Sequence, residues 1–238
     1  KPVIMFKSQR IQASNEAHGK FNDLIENLTA SSLLDFIQRQ SYLRTEEESE
    51  TLSMAHQYFL DNKDDLQDIV REIKREMNPN RIINANDTSQ SGILEKGHYE
   101  ALNSLESPTN LYRVIFAVAR LTEGWDVLNL YDIVRLSDDP KVRGTKATTM
   151  SEAQLIGRGA RYNPFLLNGE RSFKRRFDDD SKDSLILETL HYHTINEPQY
   201  LKNLVNALDE MNLPTGEDKK NPLIDVKVKP SFKRTDVW

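Results

Sequence analysis

Two apolar runs, Tyr112 to Val118 and Leu130 to Leu136, set the tightest limit on what this chain can fold into. The first is continuous and rich in β-branched residues, the composition of a parallel strand covered on both faces. Parallel neighbours cannot be joined by tight hairpins; they need crossovers of a dozen or more residues, usually helical. The rest of the sequence supplies such crossovers. Pro2 to Phe6 reads as a short buried strand ending at the polar Lys7-Ser8-Gln9-Arg10, and an amphipathic helix follows from about Ala13 to Leu28. Arg81 to Ala85 is a further strand, Tyr99 to Leu105 a short helix, and Glu106 to Asn110 a turn. Leu185 to Ile195 reads as another strand. Pro198 to Met211 is a helix with Tyr200, Leu201, Leu204, Val205 and Leu208 on one side. Strand and helix alternate, so the expected fold is α/β, with a mainly parallel, doubly wound sheet and helices on both faces.

Ser31 to Met77 breaks that rhythm. Leu33, Leu34 and Ile37 form one helical stripe, and Leu66, Ile69, Val70 and Ile73 another. Asp61-Asn62-Lys63 offers a helix start and Asn78-Pro79-Asn80 a stop. The stretch is longer than a simple crossover and is expected to be a helical insertion.

Two short runs beside the apolar segments carry chemistry. Leu121-Thr122-Glu123-Gly124-Trp125-Asp126-Val127 comes shortly after the first apolar run. Gln154-Leu155-Ile156-Gly157-Arg158-Gly159-Ala160-Arg161, a QxxGRGxR pattern, comes after the second. On a helix, Arg158 and Arg161 occupy neighbouring positions of one face, and Gln154 lies a turn before Arg158. A guanidinium is always charged and forks onto phosphate oxygens. Gly157 and Gly159 permit close backbone approach, at a cost in helix propensity. Thr149 or Ser151 is expected to cap this helix, and Tyr162-Asn163-Pro164 to break it. Taken singly, an Arg-x-x-Arg pair is a solvated face, Asp126 a turn residue and Trp125 a packing residue. Gln154, the two glycines and the upstream Glu123-Gly124-Trp125-Asp126 together outweigh those readings.

An apolar strand, a Gly-x-Asp turn, a second strand and a Gln/Gly/Arg/Arg cluster, in that order, resemble motifs V and VI of superfamily 2 helicases. The wording Glu123-Gly124-Trp125-Asp126-Val127-Leu128-Asn129 and the run Ala153 to Tyr162 are similar to the Res subunit of type III restriction-modification enzymes. The resemblance implies a RecA-like fold, with residues 1–212 as a second RecA-like helicase domain, an insertion at about 31–77, and 213–238 as a linker and the start of a following region. It implies half of an ATP site. Arg158 and Arg161 would be catalytic arginines facing the triphosphate, with Arg161 as the finger and Gln154 near the γ-phosphate. Asp126 would hold the ribose hydroxyls, with Gly124 and Gly157 also on the ATP-binding side. Ser8, Arg10 and Thr122 would contact nucleic acid, the first two from the carboxyl end of a strand.

Neither a GxxxxGK[ST] phosphate loop nor a DExH box is present. In the family both belong to a preceding N-terminal RecA-like domain, which would also bind Mg2+. This chain alone is therefore expected not to hydrolyse ATP. The implied partners are duplex DNA, that N-terminal domain and a methyltransferase (Mod) subunit, and the implied function is an ATP-dependent DNA translocase. The alternatives are another superfamily 2 motor (type I restriction or RNA helicase) or a non-hydrolysing nucleic-acid or protein scaffold.

Composition narrows the remainder. At 238 residues the chain suggests one large domain, with or without an inserted element. No run approaches a membrane span, and no secretory signal is visible, so a cytoplasmic protein without a membrane partner is expected. The start at Lys1 fits an excised fragment. With no cysteine, thiolate metal sites are excluded. The net charge of −5 masks a basic stretch from Lys141 to Arg176 around the arginine motif. His191 and His193 would share one face of a strand; without further ligands they read as packing residues, and no metal site is expected.

Overall fold

The computed structural model describes residues 2–42, 50–86, 96–118, 129–136, 145–160, 166–172, 175–177, 182–194 and 197–213. Five strands form one all-parallel sheet: β1 (Val3–Ser8), β2 (Ile82–Asn84), β3 (Val114–Val118), β4 (Leu130–Arg135) and β7 (His191–His193). Their spatial order is β2-β3-β1-β4-β7. A two-stranded hairpin, β5 (Leu166–Leu167) and β6 (Glu170–Arg171), stands apart. The helices are α1 (Ile11–Asn27), α2 (Ala30–Tyr42), α3 (Glu50–Asp61), α4 (Leu66–Glu76), α5 (Lys96–Leu102), α6 (Lys146–Gly159) and α7 (Pro198–Glu210). The fold is α/β, a parallel sheet flanked by helices, consistent with the RecA-like expectation.

The apolar runs work as parallel strands must. Val114, Ile115, Phe116 and Ala117 are all fully buried, because successive side chains enter cores on opposite faces of the sheet. On one face Met5, Ile115 and Ile133 pack with Leu102 and Leu105 from the α5 region and Leu155 of α6. On the other, Val114 and Phe116 pack with Phe6 and with Ala17 and Phe21 of α1. Phe6 and Phe116 stack there at 4.7 Å. Each such side chain contributes about 1.5–3 kcal/mol relative to exposure.

The described residues of the 31–77 stretch are mainly helical, as its two stripes require. Ile37 of α2 and Leu66 and Val70 of α4 are the buried members of those stripes. Helix α4 packs on α1 and α2, and α3 packs on α2 and on the 3-10 segment Lys182–Glu188.

Three local expectations are corrected. Strand β1 does not end at Phe6; Lys7 and Ser8 stay in register with Ala117 and Val118 of β3. Helix α6 starts earlier than expected, because Thr145 is its cap and accepts from the Thr148 amide, leaving Thr149 buried within the helix. Leu185 to Ile195 is not one strand. Its first part winds as a 3-10 turn against α3, and only His191–His193 pairs, opposite Asp132 to Val134. The β5–β6 hairpin was not anticipated, although Asn168-Gly169 signals it. Both residues take positive φ, 53° and 83°, as a tight two-residue hairpin turn demands. Leu223 to Val228, whose alternating residues could form an edge strand, lies outside the described residues.

Candidate functional site

The chain runs from β1 to one side of the sheet through β2 and β3, then returns to the other side of β1 with β4. That reversal makes the carboxyl ends of β1 and β4 the place where an open parallel sheet offers a ligand crevice. A cavity of about 200 Å³ lies there, bordered by Lys7 and Ser8 at the end of β1, Arg135 at the end of β4, and Ala147, Thr148, Ser151 and Glu152 on the first half of α6.

Its electrostatics come from two cations in core positions. Along β1 the residues facing α6 are Val3, Met5 and then Lys7; along β4 they include Ile133 and then Arg135. Lys7 and Arg135 are direct register partners, and both are buried, at 5% and 6% exposure. Like charges directly opposite one another repel. Glu152 offsets that repulsion from α6. Arg135 Nε donates to Glu152 Oε1 at 3.1 Å, and the hydroxyls of Tyr192 and Tyr200 both donate to Oε2. The two hydroxyls lie 2.7 Å apart, and the Arg135 guanidinium sits 4.2 Å from the centre of the Tyr200 ring. One carboxylate thus ties β4, α6, β7 and α7 together.

The network reshapes its members' acidities. Burial, and next the Glu152 charge, push the Tyr192 and Tyr200 hydroxyls well above the ordinary tyrosine value, so both stay protonated donors. Burial pushes Lys7 below the ordinary lysine value; Glu152 opposes that shift and Arg135 adds to it. Among the described residues bordering the cavity, two buried side-chain polar atoms have no hydrogen-bond partner: Arg135 Nη1 and Ser8 Oγ. Unmet buried groups of this kind cost about 1–3 kcal/mol each.

The sequence-chosen residues that are described stand at different distances from this cavity. Ser8 borders it. Arg10, exposed, immediately precedes α1. Gln154, Gly157 and Arg158 lie on the second half of α6, Gln154 exposed and Arg158 half-buried. Ser151, Gln154 and Arg158 are three and four apart, which puts them on one stripe of the helix. The cavity and Arg158 therefore share a helix face, about 10 Å apart along its axis. The backbone at Gly157 is closely approached by Leu213, whose Cδ1 would lie 3.1 Å from an added Cβ, and Gly159 faces Leu190 and Leu130. Thr122, Gly124, Asp126 and Arg161 lie outside the described residues.

Lys7, Arg135 and Glu152 were missed as site residues. The signal lay in periodicity: a lysine two positions beyond Met5, and an arginine two beyond Ile133, continue the core-facing rows of their strands. His191 and His193 share a face as expected. His193 Nε2 lies 3.0 Å from Asp132 Oδ1, and His191 Nε2 lies 3.3 Å from Thr51 Oγ1 of α3. Among the described residues, no group of three His, Asp or Glu residues is placed to hold a metal ion. No helix among them is long and apolar enough to cross a membrane.

A probable type III restriction-modification enzyme Res subunit (HindVIP) from Haemophilus influenzae is 34% identical over 147 residues, which cover 57% of this chain and 28% of that protein. The chain resembles a type III Res subunit. A second protein from Haemophilus influenzae, described as uncharacterized, is 40% identical over 94 residues, 39% of this chain and 20% of its own length. The chain thus spans under a third of each relative it matches. A family model described as HI_1054_N, N-terminal region, matches residues 148–217, from α6 through α7 and beyond. No solved structure matches.

Proposed function

We propose that this chain is the C-terminal half of an ATP-dependent DNA translocase motor of a type III restriction Res subunit. The carrying observation is the QxxGRG run on a helix anchored through Glu152 at the open edge of a parallel sheet, in a chain similar to a Res subunit. Phosphoryl transfer depends on positioning and on stabilising charge spread over phosphate oxygens. Arg158 and Arg161 supply that charge to a triphosphate held mainly by an N-terminal domain, with Gln154 beside them. Gly124, Asp126 and Gly157 complete this side of the nucleotide site; Mg2+ is held by the other domain. Ser8, Arg10 and Thr122 contact duplex DNA, and a Mod subunit reads the target sequence.

The role of Glu152 in this reading is positional. A guanidinium stabilises a transferring phosphate only if the backbone carrying it is fixed, and a mobile α6 would spread Arg158 over many positions. The test is steady-state ATP hydrolysis by a longer protein that joins this chain to its N-terminal domain, with and without duplex DNA. Arg161→Ala is expected to lower the DNA-stimulated rate about a thousandfold while ATP still binds. Equal rates in wild type and variant rule out the finger. No hydrolysis in either leaves a scaffold role.

A further inference from the structure

We infer that the cavity between the carboxyl ends of β1 and β4 and the first half of α6 is a binding site for one phosphate group, held by Lys7, Ser8 and Arg135. The site is distinct from the triphosphate contacts assigned to Arg158 and Arg161 and does not depend on that assignment; where its phosphate belongs to nucleic acid, it rests on the DNA contact proposed for Ser8 and extends it to Lys7 and Arg135.

Three observations meet here. Lys7 and Arg135 are buried cations placed side by side by the strand register, and among the described residues bordering the cavity one carboxylate, Glu152, stands against them. Those described side chains therefore set two cationic groups against one anionic group. Next, the cavity is bordered by residues with unsatisfied polar atoms: Ser8 is 2% exposed and its Oγ has no partner, and Arg135 is 6% exposed with Nη1 also without one. Last, the first turn of α6, a 14-residue helix, adds Ala147 and Thr148 to the rim. Helix N-termini carry partial positive charge and favour anions.

A volume of about 200 Å³ takes a phosphate group. Donors arrive from β1 and β4, with the first turn of α6 at the rim, a distribution that suits the several oxygens of a tetrahedral oxyanion better than the two of a carboxylate. The Glu152 oxygens on the wall are already engaged by Arg135 Nε and the two tyrosine hydroxyls. The phosphate comes either from a nucleic-acid backbone or from free phosphate in solution, and both present the same oxygens.

The 238-residue chain, isotopically labelled, is titrated with inorganic phosphate, and separately with short single-stranded and duplex oligonucleotides, following its backbone amide resonances. The expected result is saturable movement of the Ser8, Gln9, Ala147 and Thr148 signals in at least one arm. The arm that saturates at the lower concentration identifies the source. Thr148→Glu sets a carboxylate at the exposed rim, where a glutamate three residues after the Thr145 cap also suits the helix start. It is expected to weaken binding at least tenfold, and Ser8→Ala severalfold. No saturable movement in any arm overturns the proposal, and so does unchanged affinity in Thr148→Glu. Neither result bears on the Arg161 reading, which is tested by hydrolysis in the longer protein.

Discussion

Replacing Glu152 with alanine tests whether one carboxylate holds the second half of the fold together. In the native chain the Arg135 side chain is 3% exposed and that of Glu152 8%, so neither charge has water as a fallback. Alanine leaves the guanidinium buried with Nε unpaired, in addition to the Nη1 that already lacks a partner. It also removes the acceptor shared by Tyr192 and Tyr200, which then have only each other at 2.7 Å. Lys7 loses its nearest counter-charge and faces Arg135 across the register unshielded. Breaking a buried pair from one side costs about 3–5 kcal/mol. Urea denaturation followed by circular dichroism should show that loss in Glu152→Ala. Removing both charges is different in kind: the double variant Arg135→Met, Glu152→Leu is expected to recover most of the stability, because well-packed apolar replacements of buried pairs are often neutral. The reasoning is refuted if Glu152→Ala costs less than about 1 kcal/mol, or if the double variant is as unstable as the two single losses added together.

Three further outcomes follow from the same geometry. Tyr192 and Tyr200 have folded-state values raised above 10, so above that pH the unfolded chain releases protons that the folded one keeps; stability should fall as pH rises past about 10, and Tyr192→Phe should reduce the slope. Burial holds His191 below its ordinary value of 6.5, against the pull of Asp132, so its contribution is present above about pH 6.5 and lost as pH falls through the lowered value; hydrogen-exchange protection in α3, joined to it through Thr51 and measured against the intrinsic rate at each pH, should fall on acidification, and less so in His191→Gln. At Gly159 an added Cβ would meet Leu190 at 3.2 and 3.3 Å and Leu130 at 3.4 Å, so Gly159→Ala should lose about 1 kcal/mol in thermal or urea unfolding despite its better helix propensity.

The legible parts of the sequence were those in which one physical rule acts without competition. Tyr112 to Val118 reads as a two-sided buried strand, and its Val114–Val118 part is one. The stripes through Ile37 and through Leu66 and Val70 could only be amphipathic helices, and they are. The rules failed where two signals competed. Leu185 to Ile195 is apolar enough for a strand, but β4 offers only Asp132 to Val134 to pair with, and α3 takes the rest. At α6, Thr149 and Ser151 are good caps in isolation; Thr145, a turn earlier, reached the free amide of Thr148. The arginine motif was found by its wording, whereas the charges that fix its helix were hidden as polar interruptions in apolar strands.

Those interruptions are the strongest reason to place function at this edge. A core that needed only stability would carry apolar residues at Lys7 and Arg135, since replacing buried ions with packed hydrocarbon commonly gains stability. Here the register sets two cations side by side, and Glu152 brings in only one counter-charge. Partial neutralisation is a poor solution for folding alone. It is a good one for an edge that must accept an anion without collapsing when that anion leaves. Glu152 keeps the empty site folded, and the unmet Ser8 and Arg135 groups keep it receptive. This argument predicts an opposition between binding and stability. Lys7→Met should raise the urea midpoint of the isolated chain while weakening phosphate or oligonucleotide binding at least tenfold. A variant that loses stability together with binding would show that Lys7 serves the fold, and the case for a functional edge would then rest on α6 alone.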